Sequence, residues 1–328
     1  MKAAWFEQFG AATEVLTVGS QPDPAANAGE VLVRLSASGV NPSDVKKRAG
    51  SFPNLLDEGL VIPHSDGAGV IESVGDGVSA DRIGERVWVY QAQYGRRFGT
   101  AAELVALDSM RAVPLPDNTS FEVGACLGIP AMTAHRCVFA DGAVDGQTVL
   151  ITGGVGRVGY YAIQWASQAG ARVIATAGNA EDADACKAVG ADATVHHRDA
   201  NWSAAVLEAN GDRPVDRVVD VEFGANLPEV LKLIRTGGVI ATYSSTQVPQ
   251  PVLPFFQMMY LDLTIRTVIV YAMGEDAKRN AINDIDEALR NERLTHRVAH
   301  VVTLDEIAES HVLIENGGFR GAVVVSIP

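Results

Sequence analysis

Short β-type runs separated by glycine and other turn residues characterise the N-terminal part of the chain. Three of these runs are Val31–Leu35, Gly69–Val74 and Glu85–Val89. Strands that alternate with turn residues in this way are typical of a compact, mostly β domain. The pattern predicts such a domain over about residues 2–107.

The pattern changes in the middle of the chain, where strand-like and helix-like segments alternate from Thr148 onward. The strand-like segments read TVLIT, RVIAT, ATVHH, VDRVVDV and GGVIATYS, and the helix-like segments YYAIQWASQA and AEDADACKAV separate the first three. A doubly wound parallel sheet requires this alternation with short connections. We therefore expect an α/β protein in which a Rossmann-type domain spans residues 121–265.

The C-terminal segment predicts a return of the chain to the first domain. A polar helix is expected over about Asp276–Asn291, and the β-branched run Ala322–Ile327 follows it with no further helix. Residues 1–120 and 266–328 are therefore predicted to form one mostly β domain.

A glycine-rich loop, GGVGRVG from Gly153 to Gly159, lies between the apolar strand Val149–Ile151 and a helix predicted to begin near Tyr160. Glycines at this spacing allow a tight turn, the approach of a pyrophosphate to the helix N-terminus and close packing of helix on strand. The loop therefore predicts dinucleotide binding. Its candidate cofactor-binding residues are Gly153, Gly156, Arg157, Val158 and Gly159.

The segment after the second strand of this domain favours NADPH. An NAD-selective site places an acidic residue about 20 residues beyond the glycine loop. Here the strand Arg172–Thr176 is followed by Ala177-Gly178-Asn179, although acidic residues just beyond leave dual specificity open. The cations that could meet a 2′-phosphate are Arg157, His197 and Arg198, and Asn179 is a further candidate cofactor-binding residue. The alternative is that Arg157 and Arg198 are ordinary solvated charges.

Composition excludes several classes of partner. Among 328 residues, 26 Lys and Arg stand against 40 Asp and Glu, which gives a net charge of −14. This charge opposes binding to nucleic acid or to anionic lipid. The most apolar stretch, Val252–Met273, contains Asp262 and Arg266, and Glu7 and Gln8 interrupt the N-terminus. We expect no membrane span, no secretory signal and a cytoplasmic protein.

Three cysteines, Cys126, Cys137 and Cys186, match neither a disulfide framework nor a zinc module in number and spacing. We expect buried or incidental thiols.

Four motifs in order carry a family resemblance. They are SGVNPSD at Ser38–Asp44, PHSDGAGVIESVG at Pro63–Gly75, GIPAMTA at Gly128–Ala134 and the loop at Gly153. Together they resemble the zinc-independent quinone oxidoreductases of the medium-chain dehydrogenase/reductase superfamily, the zeta-crystallin group. The resemblance covers essentially the whole chain. It implies a GroES-like catalytic domain, completed by the C-terminal segment, with a cofactor domain inserted between the two parts.

The same resemblance implies roles for individual residues. Asn41 and Asp44 would line the cleft near the nicotinamide, and Thr133 would contact its ribose or ring. The remaining residues that it implies for the cofactor are Tyr243 and Ser244 with Ser245 in the loop below it, and Val270 and Tyr271 behind the nicotinamide ring. Structural alternatives are a turn or helix cap for Asp44 and a core position for Tyr271.

The motifs differ from those of zinc-dependent relatives, which have a Cys shortly after the first glycine and a His-Glu pair before Gly-x-Gly. Asn41 stands near the expected Cys, and Ser65-Asp66 stand where His-Glu would be. His64 is displaced by one residue and would point to the opposite face of an extended segment, so it is interpreted as a hydrogen-bonded structural histidine. Residues 90–99 contain no four-cysteine lobe. We expect neither catalytic nor structural zinc.

Lys46 is another departure, because many family members have Tyr at this position. It is a third candidate catalytic residue beside Asn41 and Asp44, as a source of positive potential or of a proton. The alternative is a solvated helix surface, since Lys46, Lys47 and Arg48 cannot all face one small site.

Without a metal ion, a reductase must polarise its acceptor by hydrogen bonding, and the nicotinamide supplies the hydride. We therefore predict an NADPH-dependent quinone reductase, with Asn41 as donor and solvent or Lys46 as proton source. An NADPH-dependent enone or 2-alkenal double-bond reductase is the alternative. A non-catalytic role, either crystallin-like or RNA-binding, is the alternative from a different functional class.

The β-rich stretch Leu263–Val270 predicts a sheet edge that pairs in a homodimer.

Overall fold

Two large sheets and a two-stranded ribbon organise the chain, and the computed structural model describes all 328 residues. The strands are β1 (Lys2–Trp5), β2 (Thr17–Ser20), β3 (Glu30–Val40), β4 (Asp66–Val74), β5 (Arg86–Val89), β6 (Leu104–Asp108), β7 (Ala112–Pro114), β8 (Thr148–Ile151), β9 (Arg172–Ala177), β10 (Ala193–His196), β11 (Val215–Asp220), β12 (Ile234–Thr242), β13 (Thr264–Thr267), β14 (Val298–Thr303) and β15 (Ala322–Ser326).

The α-helices are α1 (Ala12–Val15), α2 (Pro42–Arg48), α3 (Phe121–Gly124), α4 (Met132–Phe139), α5 (Arg157–Gln168), α6 (Ala180–Ala188), α7 (Trp202–Ala209), α8 (Phe223–Leu233), α9 (Phe255–Tyr260), α10 (Glu275–Arg290) and α11 (Ile307–Asn316). A single π-helical segment, Leu127–Ala131, precedes α4. None of the helices is long and apolar enough to cross a membrane.

The first compact unit comprises Met1–Ile129 and Ile282–Pro328. Its large sheet has the order β14-β15-β3-β4-β5-β7, with β6 also paired to β3, and β1 and β2 form a separate ribbon. The C-terminal strand β15 pairs antiparallel with β3, with Val323 opposite Val40. This pairing confirms the predicted return of the C-terminal strand to the first domain.

The second compact unit, Pro130–Ala281, contains a fully parallel sheet of order β10-β9-β8-β11-β12-β13. Val149, Leu150 and Ile151 of β8 have no exposed surface. A continuous apolar run is what a strand in the middle of a parallel sheet requires, because helices cover both faces. The predicted doubly wound Rossmann-type sheet is confirmed.

The unit boundaries differ from the predicted ones. The chain divides after Ile129 and Ala281, whereas the sequence predicted divisions after residues 120 and 265. Helix α3 contacts β3 and β4, which keeps it in the first unit. Strand β13 pairs with β12, and the 3₁₀ turn Val270–Ala272 contacts α4, so both belong to the second unit.

Two element bounds also differ from prediction. Helix α5 begins at Arg157 rather than near Tyr160, because the turn closes earlier through a bond from the Gly156 N–H to Gly153 O (2.9 Å). The predicted strand Leu263–Val270 is reduced to Thr264–Thr267, since its partner β12 ends at Thr242.

Candidate active site

Helix α2 begins with a buried polar cap. Pro42 occupies the first turn, where a missing N–H has no cost, and the Asp44 carboxylate accepts a hydrogen bond from the Asn41 backbone N–H (2.8 Å). Asp44 therefore makes the helix-cap contact that was its structural alternative. Asn41 and Asp44, brought together as predicted, are both buried.

The Asn41 carboxamide is bonded to a buried carboxyl group on the neighbouring strand. Asn41 Nδ2 donates to Asp66 Oδ2 (2.9 Å), and the Ile129 backbone N–H donates to the same oxygen (2.8 Å). Asp66 Oδ1 has no hydrogen-bond partner. Burial raises the pKa of Asp66 to about 8, against the opposing effect of the Ile129 hydrogen bond. The motif at Pro63–Gly75 contains Asp66, but the sequence pattern does not indicate this carboxyl group as a candidate site residue.

Lys47, rather than the predicted Lys46, is the α2 lysine that reaches this buried region. Its ammonium donates to Gln93 Oε1 (2.7 Å), Gln93 O (3.2 Å) and Ser65 Oγ (3.3 Å). Burial lowers the pKa of Lys47, while the charges of Asp44 and Asp66 oppose that shift. Lys46 is exposed on the helix surface. The spacing of three residues from Asp44 was the available signal, because positions i and i+3 share a helix face.

His64 lies in a separate buried network of the same unit. Its Nδ1 is 2.8 Å from Ser38 Oγ, and its Nε2 is 3.0 Å from Nε2 of His311. Burial lowers the pKa of His64 well below its ordinary value, and the neighbouring charges of His311 and Lys47 lower it further. These contacts confirm that His64 is a hydrogen-bonded structural histidine.

Metal-ligating side chains are not grouped anywhere in the chain. No cluster of three or more His, Cys, Asp or Glu side chains is placed to hold a metal ion. The three cysteines are free and buried, as the sequence predicted.

In the second unit, the glycine loop connects β8 to α5 at the carboxyl edge of the parallel sheet. Gly153 has a φ of 65°, and its N–H donates to Thr176 Oγ1 (2.9 Å). A Cβ at Gly159 would overlap the carbonyl oxygen of Gly153. These contacts explain the glycine spacing and leave the exposed Gly156 at the N-terminus of α5, the place where the sequence predicts a pyrophosphate.

The predicted phosphate-region residues fall into two places. Asn179 caps α6 by accepting from the Asp182 N–H (2.9 Å), and His197 Nδ1 lies 2.9 Å from Ala177 O at the end of β9. Arg198 follows His197 and is exposed. Arg157 is close enough to Tyr243 for its charge to lower the pKa of that phenol, although burial has the larger effect and raises it.

The other predicted cofactor residues are distributed around the same unit. Tyr243 and Ser244 follow β12, where the Ser244 carbonyl accepts from the Phe223 N–H (3.0 Å). Thr133 is buried in α4, which contacts the turn that contains the buried Val270 and Tyr271.

A second missed carboxyl group, Asp220, lies at the end of β11. Its Oδ1 accepts from Thr152 Oγ1 (2.6 Å) and Asn226 Nδ2 (2.7 Å). Thr152 immediately precedes the glycine loop, so Asp220 supports the start of that loop. The only feature of the sequence that could indicate Asp220 is its position as the last residue of an apolar strand.

Comparisons with known proteins agree with this architecture. Residues 27–117 match the family described as alcohol dehydrogenase GroES-like domain, and residues 158–289 match zinc-binding dehydrogenase. The quinone oxidoreductase of Rattus norvegicus is 37% identical, over 73% of this chain and 71% of that protein. The chain belongs to the quinone oxidoreductase group of the medium-chain dehydrogenase/reductase superfamily. This member of the group is therefore an oxidoreductase with a nicotinamide cofactor.

Further relatives show how broad the superfamily is. The quinone oxidoreductase of Homo sapiens is 33% identical, over 75% of this chain and 73% of that protein. A solved NAD-dependent alcohol dehydrogenase has a TM-score of 0.87 and 30% identity, with complete coverage of both chains. A mycobacterial protein solved in complex with NADPH has a TM-score of 0.87 and 26% identity, again with complete coverage. The predicted combination of a Rossmann-type sheet with a GroES-like domain is confirmed.

Proposed function

We propose that this oxidoreductase is an NADPH-dependent quinone reductase that transfers hydride without a metal ion. The observation that carries the proposal is the buried carboxamide of Asn41, which bonds to Asp66 beside the ammonium of Lys47. The quinone oxidoreductases among its relatives support the acceptor class.

The side chains at this site favour catalysis without a metal. Lys47 Nζ donates to Ser65 Oγ (3.3 Å), so a cation of the chain itself lies beside Ser65 and Asp66. A divalent ion there would be repelled by the ammonium, and an amide nitrogen that donates to Asp66 is not a metal ligand.

In place of a metal ion, a hydrogen bond polarises the oxygen of the acceptor. The bound nicotinamide supplies the hydride. The Asn41 amide has two N–H bonds, and only one of them is used by Asp66. The second N–H stabilises the oxyanion that develops when a quinone oxygen gains electron density. A proton from solvent or from the exposed Lys46 completes the hydroquinone.

The cofactor site supports NADPH over NADH. The strand β9 ends at Ala177 without a carboxylate, and His197 and Arg198 follow the neighbouring strand β10. A positive or protonatable pair at this edge suits a 2′-phosphate, whereas a strand-end carboxylate would suit the free ribose hydroxyls.

We also propose a homodimer. Strand β13 is the edge of the parallel sheet, and the preceding helix α9 has four strongly exposed apolar or aromatic side chains. These are Phe255, Phe256, Met259 and Tyr260. Pairing with a second copy would cover both the unpaired strand edge and this apolar surface.

Turnover with a quinone panel, an enone panel and simple alcohols tests the function. We expect NADPH-dependent quinone reduction that is insensitive to chelators, and negligible alcohol oxidation. Asn41→Ala should lower turnover about tenfold or more while the Kd of NADPH changes only a few-fold, because a transition-state hydrogen bond is lost. Asn54→Ala, an exposed asparagine of the same unit, is the matched control.

Three results would count against the proposal. Unchanged turnover in Asn41→Ala would contradict the assignment of Asn41 as the hydrogen-bond donor. One tightly held zinc ion per chain would contradict the metal-free mechanism. A preference for enones over quinones would assign the same chemistry to the alternative double-bond reductase.

A further inference from the structure

The orientation of the Asn41 carboxamide is determined by its surroundings. Asp66 Oδ2 accepts hydrogen bonds from both Asn41 Nδ2 (2.9 Å) and the Ile129 N–H (2.8 Å). The Ile129 N–H donates to Oδ2, so this oxygen is the acceptor in the pair of contacts, and the Asn41 group that faces it is the amide nitrogen rather than the amide oxygen.

Asp66 is itself held with little freedom. It is the first residue of β4 and lies opposite Gly39 on β3, and its backbone carbonyl accepts from Thr100 Oγ1 (2.6 Å). Its side chain has no exposed surface, and a Cβ at Gly128 would overlap Asp66 Oδ1. The carboxyl group therefore has no space to turn away from Asn41.

We propose that Asp66 is a positioning residue for hydride transfer, holding the Asn41 carboxamide so that its second N–H is available to the acceptor oxygen. This inference rests on the proposed function, in which Asn41 is the donor. The terminal torsion of asparagine is broad and roughly two-fold. The Asn41 side chain also accepts from the Asp44 backbone N–H in the cap of α2. Without the Asp66 carboxyl group, the amide nitrogen loses its acceptor, and this cap contact alone would hold the carboxamide.

The test is a double-mutant cycle on the rate of NADPH oxidation in a single turnover with a quinone. Asp66→Ala should slow hydride transfer about tenfold, the scale of one lost transition-state hydrogen bond. The double variant Asn41→Ala/Asp66→Ala should be no slower than Asn41→Ala alone, because residues that act as a unit are not additive. The Kd of NADPH, measured by fluorescence, should stay unchanged in all three variants.

Two further variants separate positioning from a general structural role. Asp66→Asn keeps a carbonyl oxygen in the place of Oδ2, so it should restore the rate to within roughly threefold of wild type. Gly128→Ala keeps the carboxyl group but displaces it, which should slow transfer when Asn41 is present and add nothing to Asn41→Ala. This second variant tests the proposal even where Asp66→Ala does not fold.

Ser310→Ala is the control, since it removes a buried hydrogen bond to Ile307 O within α11 of the same unit, and Ser310 makes no hydrogen bond to Asn41 or Asp66. It should leave the rate of hydride transfer unchanged.

The proposal is overturned if folded Asp66→Ala or Gly128→Ala transfers hydride at the wild-type rate, or if the double variant shows the product of the two single effects. An Asp66→Asn variant as slow as Asp66→Ala would also overturn it. These failures leave the proposed function intact, provided that Asn41→Ala is slow. An unchanged rate in Asn41→Ala would instead remove the proposed donor, and the positioning role with it.

Discussion

The ammonium of Lys47 lies 2.7 Å from the side-chain oxygen of Gln93. Both residues are almost fully buried, and the same ammonium also donates to the Gln93 carbonyl and to Ser65. The preceding residue, Lys46, is exposed on α2. Helix α2 therefore directs one lysine into the protein and the other into solvent, and these two residues provide a matched pair of variants.

Lys47→Met should reduce the free energy of unfolding by about 1–3 kcal/mol, because buried acceptors of Gln93 and Ser65 lose their donor. Lys46→Met should change it by no more than about 0.5 kcal/mol, as is usual for surface positions. Urea denaturation of both variants at neutral pH measures the difference. Equal effects would contradict the assignment of Lys47 as the buried cation.

Asp66 should make stability depend on pH. Burial raises its pKa from 3.8 to about 8, so between these values the folded chain binds a proton that the unfolded chain has released. Its contribution to stability is therefore fully present below about pH 4 and is lost as the pH rises through about 8. The charged groups that face Asp66 are Asp44 and Lys47 of α2.

The variant Asp66→Asn isolates this effect, because Lys47 and all other groups are the same in both proteins. The stability of the variant relative to wild type should rise between pH 5 and pH 8 in urea denaturation. Asp76→Asn, at an exposed position, should track wild type over that range. A constant difference between Asp66→Asn and wild type would contradict the raised pKa.

Cofactor selectivity should depend on Arg198 more than on Arg157. Arg198→Glu should weaken the binding of NADPH by about 1.5–3 kcal/mol, because a charge-assisted hydrogen bond to the 2′-phosphate is lost. The binding of NADH should stay nearly unchanged. Arg157 begins α5, where we propose that the pyrophosphate common to both cofactors binds, so Arg157→Glu should weaken the binding of both cofactors to a similar extent. Fluorescence titration with each cofactor checks this. Selective loss of NADPH in Arg157→Glu would reverse the assignment.

The dimer should depend on the apolar surface of α9. Phe256→Asp and Tyr260→Glu place charges at positions that are 70% and 79% exposed, so the folded subunit should tolerate them while association weakens. Light scattering at micromolar concentration should then report a monomer. Val301→Asp, at a 53% exposed position of the other unit, is the control and should remain a dimer. If the wild-type protein is itself a monomer in this measurement, the proposed homodimer is contradicted.

Local patterns in the sequence predicted much of the fold. The alternation of apolar strands and helices predicted the parallel sheet, because period and segment length depend mainly on neighbouring residues. The glycine loop was placed correctly because strand, turn and helix N-terminus follow one another in the chain. His64 was also interpreted correctly as a hydrogen-bonded structural histidine, although its φ of 75° shows that it does not have the extended backbone assumed in that interpretation.

These local patterns do not predict which segments that are far apart in the sequence come into contact. The spacing of three residues from Asp44 favours Lys47 over Lys46, but Gln93, the acceptor that holds the Lys47 ammonium, lies 46 residues further along the chain. The Asn41–Asp66 bond likewise joins residues 25 apart. The same limit applies to β13, whose length depends on where its partner β12 ends.

The sequence by itself therefore determined the family, the order of the elements and the position of the glycine-rich loop between strand and helix, all of which are recorded in local periodicity and short motifs. The tertiary structure alone decided which polar groups are enclosed together. Burial and hydrogen-bond partners depend on packing between segments that are far apart in the chain. For that reason Asp66 and Lys47 emerged only from the folded protein, although both lie within or beside motifs that the sequence had already made visible.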